Sequence, residues 1–127
     1  MAELARKPDR LPPPLEMQAM KVLWSRGSAT VGEVRDDLEP TKPLAYTTVL
    51  TLLDRLAHKG AVTRRKRGRS YVYSPALSRE TALDLALDRL LDEFFANDRE
   101  ELIGYLERGA FFPRGVAEEE SMDSALL

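Results

Sequence analysis

The sequence predicts a mainly α-helical fold with one two-stranded hairpin, on the basis of three observations. Apolar residues recur at helical spacing in five segments, which glycine, proline and helix-capping residues separate. Between the third and fourth segments, two short runs alternate apolar and polar residues around Gly68. A length of 127 residues, 43% of them hydrophobic and 31% charged, suits one globular domain, or one small domain with an appendage.

The first two helices are predicted from their ends. Residues 1–14 are polar and rich in proline, and we expect a loose N-terminal arm there. A helix over about residues 15–25 follows, because proline at the arm's end suits a first helical turn. The second helix is expected over residues 31–38, since Thr30 and Glu33 have the spacing of a capping box.

The third helix, over about residues 45–59, has the clearest apolar seam, and Gly60 marks its end. The seam consists of Val49, Leu52, Leu53 and Leu56. The runs "AVTRRK" and "SYVYS" then predict two strands joined by a tight turn. Three helices followed by a hairpin have the order of a winged helix-turn-helix domain, which we expect over residues 15–75 with the hairpin as its wing.

The C-terminal segments predict a helical dimerisation region over residues 76–106. Ser78 can cap a long helix reaching about Ala96, and Asp98 can cap a last short helix. The long helix is apolar over more than one stripe, so it must be buried on two sides, yet little chain remains to cover it. We therefore expect an interface with a second copy, although packing onto the chain's own first domain stays open. The expected interface residues are Leu83, Leu87, Leu90, Leu91, Phe94, Phe95, Leu102, Ile103 and Leu106. Residues 107–127 are expected to be a flexible acidic tail.

The polar face of the third helix carries threonines near its N-terminal end, where they cost tenths of a kcal/mol in helix propensity. In a helix-turn-helix domain this end enters the major groove, and a threonine can hydrogen-bond a base or contact the thymine methyl group. Alternatively, the threonines are simply an exposed face. The expected base contacts are Thr47, Thr48, Thr51 and Arg55, and Tyr46 is expected to reach a phosphate.

The hairpin turn is strongly basic, with the sequence "RRKRGR" at residues 64–69. Cations this close repel one another unless phosphates neutralise them, which would release counterions from DNA. Strand alternation places Arg65 and Arg67 on one face and Arg64 and Lys66 on the other, so not all can touch DNA. We expect backbone contacts from Arg67 and Arg69, with Lys66 in reserve. Basic hairpins that protect a sheet edge from aggregation are the alternative.

Charge and composition narrow the function classes. Residues 1–75 carry 14 Lys and Arg against 8 Asp and Glu, whereas residues 76–127 carry 5 against 13. The basic half suggests a polyanionic partner.

Without cysteine, a signal-peptide pattern or a long apolar run, we expect a cytoplasmic protein that does not insert into a membrane. His58, the one imidazole, is expected at the surface or beside the C-terminal carbonyls of the third helix. Asp84, Asp88 and Asp92 are expected on the solvated face of the long helix, so we expect no enzyme, metal site or cofactor.

The segment "AYTTVLTLLDRLAHKGAVTRRKRGRSYVYSPALSRE" resembles the signature region of the penicillinase repressor (BlaI/MecI-type) transcriptional regulators. "LEMQAMKVLWSRGSATVGEVRDDL" is similar to the preceding part of that domain, and the resemblance spans about residues 15–106. It implies a dimeric repressor whose third helix and wing contact a dyad-symmetric operator in double-stranded DNA. It also raises a membrane sensor-protease as the partner that relieves repression. A winged-helix module that binds proteins and not DNA is the alternative function.

Overall fold

The structure is a computed structural model and describes residues 10–109, so most of the predicted arm and tail lies outside the described residues. Between residues 10 and 109, five helices and two strands follow one another in the predicted order. They are α1 (Pro14–Arg26), α2 (Val31–Leu38), α3 (Tyr46–His58), β1 (Val62–Arg67), β2 (Ser70–Pro75), α4 (Arg79–Phe94) and α5 (Arg99–Glu107). The mainly α-helical class with one hairpin is confirmed.

Side-chain caps begin α2, α4 and α5 at the residues that the sequence predicts. Thr30 Oγ1 accepts a hydrogen bond from the Glu33 backbone N–H (3.2 Å), and the Glu33 carboxylate accepts one from the Thr30 N–H (3.0 Å). Ser78 Oγ accepts from a backbone N–H three residues further on (3.0 Å), and Asp98 Oδ1 accepts from two N–H groups of α5. Each such cap stabilises its helix by about 1 kcal/mol.

One apolar core joins α1, α2 and α3 to the base of the hairpin. The seam of α3 is buried as predicted, with Val49, Leu53 and Leu56 fully inaccessible to solvent. They pack in one cluster with Ala19, Met20, Leu23, Val34, Leu38, Tyr73 and Leu77, among others. Burying a leucine or methionine side chain contributes roughly 1.5–3 kcal/mol, so this cluster fixes where α3 lies on the other helices. Leu11, from the predicted arm, packs against the same cluster.

Hydrogen bonds tie the hairpin and the segment after it to α1 and α2. Ala29, just before α2, exchanges two backbone hydrogen bonds with Tyr73 on β2 (2.9 and 2.8 Å). The indole N–H of Trp24, the single tryptophan, donates to the backbone carbonyl of Leu77 (2.9 Å). The base of the hairpin is therefore held by both packing and backbone pairing.

The antiparallel hairpin of β1 and β2, residues 62–75, is the predicted wing. Its register runs from Val62 opposite Pro75 to Arg67 opposite Ser70. This leaves a two-residue turn whose first residue, Gly68, has φ 63°, a conformation that favours glycine. The turn places Arg67 and Arg69 on either side of Gly68.

Glu16 on α1 is a buried carboxylate, 3% exposed, which pairs with the ammonium group of Lys59 at the C-terminal end of α3. We expect Lys59→Met to lower the free energy of unfolding by about 1–3 kcal/mol, because it leaves a buried charge without its partner. Urea unfolding followed by Trp24 fluorescence measures this. Lys21→Met, on the exposed surface of α1, should change stability by less than about 0.5 kcal/mol. Equal effects of the two substitutions would contradict the structural role of the pair.

The described residues form two compact units, with the boundary between Ala86 and Leu87 inside α4. The first unit contains α1–α3, the wing and the start of α4, and the second contains the rest of α4 and α5. In the second unit, the rings of Phe95 and Tyr105 meet edge to face, 6.0 Å between centroids. No helix among residues 10–109 is both long and apolar enough to cross a membrane.

Candidate nucleic-acid interface

The polar face of α3 lies opposite its buried seam and is open to solvent. Thr47, Thr51 and Arg55 are exposed and succeed one another at intervals of four, so they form one stripe along the helix. Tyr46, the first residue of α3, is also exposed, while Thr48 is half-buried. The structure thus gathers the sequence-predicted residues of α3 on or beside one accessible face.

The hydroxyl of Thr51 already has a partner inside the helix. Its Oγ1 donates a hydrogen bond to the backbone carbonyl of Thr47 (3.0 Å), a bond that threonine often makes one turn back in helices. The hydroxyl oxygen still has a lone pair to accept a hydrogen bond, and the methyl group remains available for contact with apolar atoms. Thr51 is therefore arranged as an acceptor and a small apolar contact.

The wing carries its cations on two faces, as strand alternation predicts. Arg65 lies opposite Val72 in the ladder and Arg67 opposite Ser70, whereas Lys66 lies opposite Tyr71. All five basic residues from Arg64 to Arg69 are exposed. Around the turn, Lys66, Arg67 and Arg69 thus present three positive charges to solvent.

Arg64 differs from the other wing cations because it contacts α3. Its Nη1 lies 3.3 Å from Oδ1 of Asp54, and its guanidinium lies over the ring of Tyr71, 4.5 Å from the centroid. The hydroxyl of Tyr73 approaches the same Asp54 oxygen (3.5 Å). Burial raises the pKa of Tyr73 above its usual value, and hydrogen bonding with Tyr73 is the main reason that the pKa of Arg64 is raised. These contacts join the wing to α3.

A second contact that the sequence analysis did not predict lies between α2 and α3. The guanidinium of Arg35 lies over the ring of Tyr46, 5.8 Å from its centroid, and also donates to the carboxylate of Asp36. A cation over an aromatic face contributes about 0.5–1 kcal/mol at an exposed site. Arg35, paired with Asp36, therefore supports the position of Tyr46 at the N-terminal end of α3.

The residues expected at a dimer interface lie on α4, α5 and their connection. Phe94 is the most exposed large apolar side chain of the described residues, at 72%. Leu83, Leu87, Ile103 and Leu106 are also exposed, Leu90, Phe95 and Leu102 are half-buried, and Leu91 is buried. Most of this apolar surface thus has no cover within the described part of a single chain. His58 is exposed, as expected, and no group of three or more possible metal ligands occurs within residues 10–109.

A family model described as penicillinase repressor matches residues 13–110. The chain belongs to the penicillinase repressor family. Its members are transcriptional repressors and not enzymes, so the prediction that the chain is not an enzyme is confirmed. The resemblance to BlaI/MecI-type regulators is likewise confirmed.

Two curated relatives carry names from this family. The chain is 37% identical over 111 residues to the transcriptional regulator BlaI of Mycobacterium tuberculosis, covering 85% of this chain and 77% of the relative. It is 32% identical over 80 residues to the penicillinase repressor of Bacillus licheniformis, covering 63% of this chain. That match spans 62% of the Bacillus protein, less than two thirds of its length.

Solved structures support the fold. The DNA-binding domain of the repressor BlaI matches with a TM-score of 0.53 at 33% identity, covering 60% of this chain and 93% of that domain. The Bacillus licheniformis BlaI monomer in complex with the blaP half-operator matches with a TM-score of 0.50, at the same identity and coverage. The winged-helix class predicted from the order of elements is therefore confirmed.

Proposed function

We propose that this chain is a transcriptional repressor that binds duplex DNA through the polar face of α3 and the tip of the wing. The observation that carries the proposal is that an exposed threonine face and an exposed cluster of cations belong to one compact unit and are joined by the Arg64–Asp54 contact. The solved complex of the related BlaI with a DNA half-operator supports the same assignment.

The N-terminal end of α3 would enter the major groove, and the polar face of the helix would read bases. Thr47, Thr48, Thr51 and Arg55 are the proposed base contacts. The short threonine side chains allow close approach, and the exposed methyl of Thr51 can pack on a thymine methyl group. Arg55, one turn further along, can donate two hydrogen bonds to a guanine. Each good contact of this kind discriminates against the wrong base by about 1–3 kcal/mol.

The backbone contacts would come from both ends of this surface. Tyr46, at the first turn of α3, can donate its hydroxyl to a phosphate, and the nearby backbone N–H groups favour anions. Lys66, Arg67 and Arg69 at the wing tip can neutralise phosphates. About four such contacts per chain predict that the logarithm of the binding constant falls with the logarithm of the salt concentration at a slope near −4.

We also propose that residues 15–75 contact DNA, while residues 76–106 form a homodimer. The exposed apolar side chains of α4 and α5 support this division. A two-fold dimer would place two α3 helices about 34–36 Å apart, or a multiple of that, and so require a dyad-symmetric operator. Occupancy of the operator would then block a promoter without any chemistry.

We place the protein in the cytoplasm. Relief of repression by a membrane sensor-protease stays a prediction from the family resemblance.

The test begins with selection of duplexes by the protein from a random double-stranded library, followed by titration of the selected and a scrambled duplex over a salt series. Salt-sensitive binding with preference for the selected duplex is expected. If no duplex is enriched and no salt-sensitive binding occurs, the alternative of a protein-interaction module is favoured.

Thr48→Ala and Thr51→Ala are each expected to reduce the preference for the selected over the scrambled duplex by about 1–3 kcal/mol, because each removes a contact to a base edge. Thr81→Ala, in the first turn of α4, is the matched control and should leave the preference unchanged. If the α3 variants weakened both duplexes equally, their side chains would be positioning α3 and not reading sequence.

A further inference from the structure

Asp54 is the one acidic side chain of α3, and it lies on the face that we propose for DNA binding. It follows Thr51 by three residues and Thr47 by seven, so all three lie on one side of the helix. A carboxylate facing DNA phosphates repels them, and like charges across an interface are normally avoided. A residue of this type at this position therefore requires an explanation.

One carboxylate oxygen of Asp54 contacts two residues of the wing. Oδ1 lies 3.3 Å from the guanidinium of Arg64 on β1 and 3.5 Å from the hydroxyl of Tyr73 on β2. Arg64 is also held over the ring of Tyr71, on β2. A single carboxylate oxygen of α3 thus reaches both strands of the wing.

Packing alone fixes the outer part of the wing weakly. Within β1 only Val62 is buried, and every residue from Thr63 to Arg67 is exposed. On β2, Tyr73 and Val72 are buried, while Ser70 and Tyr71 are exposed. A two-stranded hairpin is at best marginally stable without packing against other elements. Besides the backbone pairing of Ala29 with Tyr73, the contacts of Asp54 with Arg64 and Tyr73 link the hairpin to the rest of the first unit by polar groups.

We propose that Asp54 is a positioning residue that holds the wing at a fixed orientation relative to α3 through Arg64 and Tyr73. This inference rests on the proposed DNA-binding function. With the wing fixed, Arg67 and Arg69 meet the DNA backbone beside the groove that α3 enters. Arg64 pairs with Asp54 within the protein and does not bind a phosphate. Removing this negative charge from the DNA-facing side should therefore weaken DNA binding, whereas simple repulsion between Asp54 and the phosphates predicts that its removal strengthens binding.

The experiment is a double-mutant cycle of Asp54→Asn, Arg64→Met and the double variant, titrated with the duplex that the wild-type protein selects from a random library. Each single variant should weaken binding about fivefold, the upper range expected for a half-exposed ion pair. The double variant should bind no more weakly than the weaker single variant, because both substitutions break the same link. Arg64→Lys, which can still pair with Asp54, should restore part of the affinity.

Asp88→Asn, on the exposed surface of α4, is the charge-matched control and should leave the affinity unchanged or slightly increased. Hydrogen exchange of the free protein supplies a readout that does not depend on DNA. In Asp54→Asn, backbone amides of residues 64–72 should exchange about fivefold faster, while those of α1–α3 keep their protection. Tyr73→Phe, which keeps the buried ring, should show the same change in smaller degree and serves if Asp54→Asn fails to fold.

Two results would overturn the positioning role alone. One is an Asp54→Asn protein that binds the duplex as tightly as the wild type or more tightly, which would make Asp54 an ordinary repulsive charge. The other is additive weakening in the double variant, which would mean that Arg64 contacts DNA independently. Absence of salt-sensitive binding by the wild-type protein would instead overturn the proposed function, and this role with it.

Discussion

Replacing both Arg67 and Arg69 by alanine is expected to weaken binding to every duplex by about ten- to hundredfold at physiological salt. The two side chains flank Gly68 at the exposed turn of the wing, and we assign them to phosphates and not to base edges. Because phosphates are alike at every base pair, the loss should be similar for selected and scrambled duplexes. The magnitude follows from two charge-assisted contacts, each discounted for its exposure to water.

The salt dependence gives the sharper measurement. Removing one phosphate-binding cation should flatten the log–log slope by about one unit, so the double variant should bind with a slope about two units shallower per chain. Fluorescence anisotropy titrations between about 50 and 200 mM salt resolve such a change. Arg89→Ala, on α4, removes a surface cation that pairs with Glu93 and should leave the slope unchanged. Weakening confined to the selected duplex would show that the wing reads sequence.

The parts of the fold that could be predicted from sequence are those encoded locally. The capping box of Thr30 and Glu33, the apolar seam of α3 and the turn at Gly68 each involve residues a few positions apart. Their geometry follows from helix or strand periodicity and from the backbone preferences of single residues. The element boundaries that depend on them therefore lie within a residue or two of the prediction.

The contacts that sequence could not provide join residues distant in the chain. Glu16 pairs with Lys59, Arg35 lies over Tyr46, and Asp54 contacts the wing, all across elements whose mutual angles depend on packing of the whole core. The pattern of charges offered a partial signal for the last of these. An acidic residue one turn after Thr51, on a face otherwise suited to DNA, indicates a cationic partner nearby.

The same distinction separates the wing cations. In sequence, the five basic residues around Gly68 look equivalent, and strand alternation assigns them only to faces. The structure distinguishes Arg64 because its guanidinium pairs with Asp54 of α3. Within residues 10–109, Arg67 and Arg69 are exposed and form no ion pair. Tertiary contacts, and not charge alone, therefore remove Arg64 from the cations that we assign to DNA.

Phe94→Asp is expected to convert the proposed dimer into a monomer. Phe94 is 72% exposed in the single chain, and Leu87, two turns earlier on the same face of α4, is exposed as well. Burying a phenylalanine contributes roughly 1.5–3 kcal/mol, and a two-fold axis makes every substitution act twice. A carboxylate buried without a partner adds a further penalty. The dimer dissociation constant should therefore rise about a thousandfold or more.

Sedimentation at micromolar concentration measures the mass directly, and Lys21→Asp, which adds the same carboxylate to the exposed surface of α1, should remain dimeric. On DNA, the Phe94→Asp protein should occupy half-sites independently and lose most of its affinity for a two-site duplex. Without the dimer, binding of one chain no longer brings a second chain to the neighbouring half-site. A wild-type protein that sediments as a monomer would contradict the dimer.

The alternative, in which this apolar surface packs onto the chain's own first domain, predicts a different pattern for the same variant. Phe94→Asp would then leave the mass unchanged and lower the unfolding midpoint reported by Trp24, whose indole lies in the first unit. Under the dimer proposal, the unfolding midpoint of the wild-type protein should rise with protein concentration, because association links stability to concentration. The midpoint of the Phe94→Asp variant should not depend on concentration.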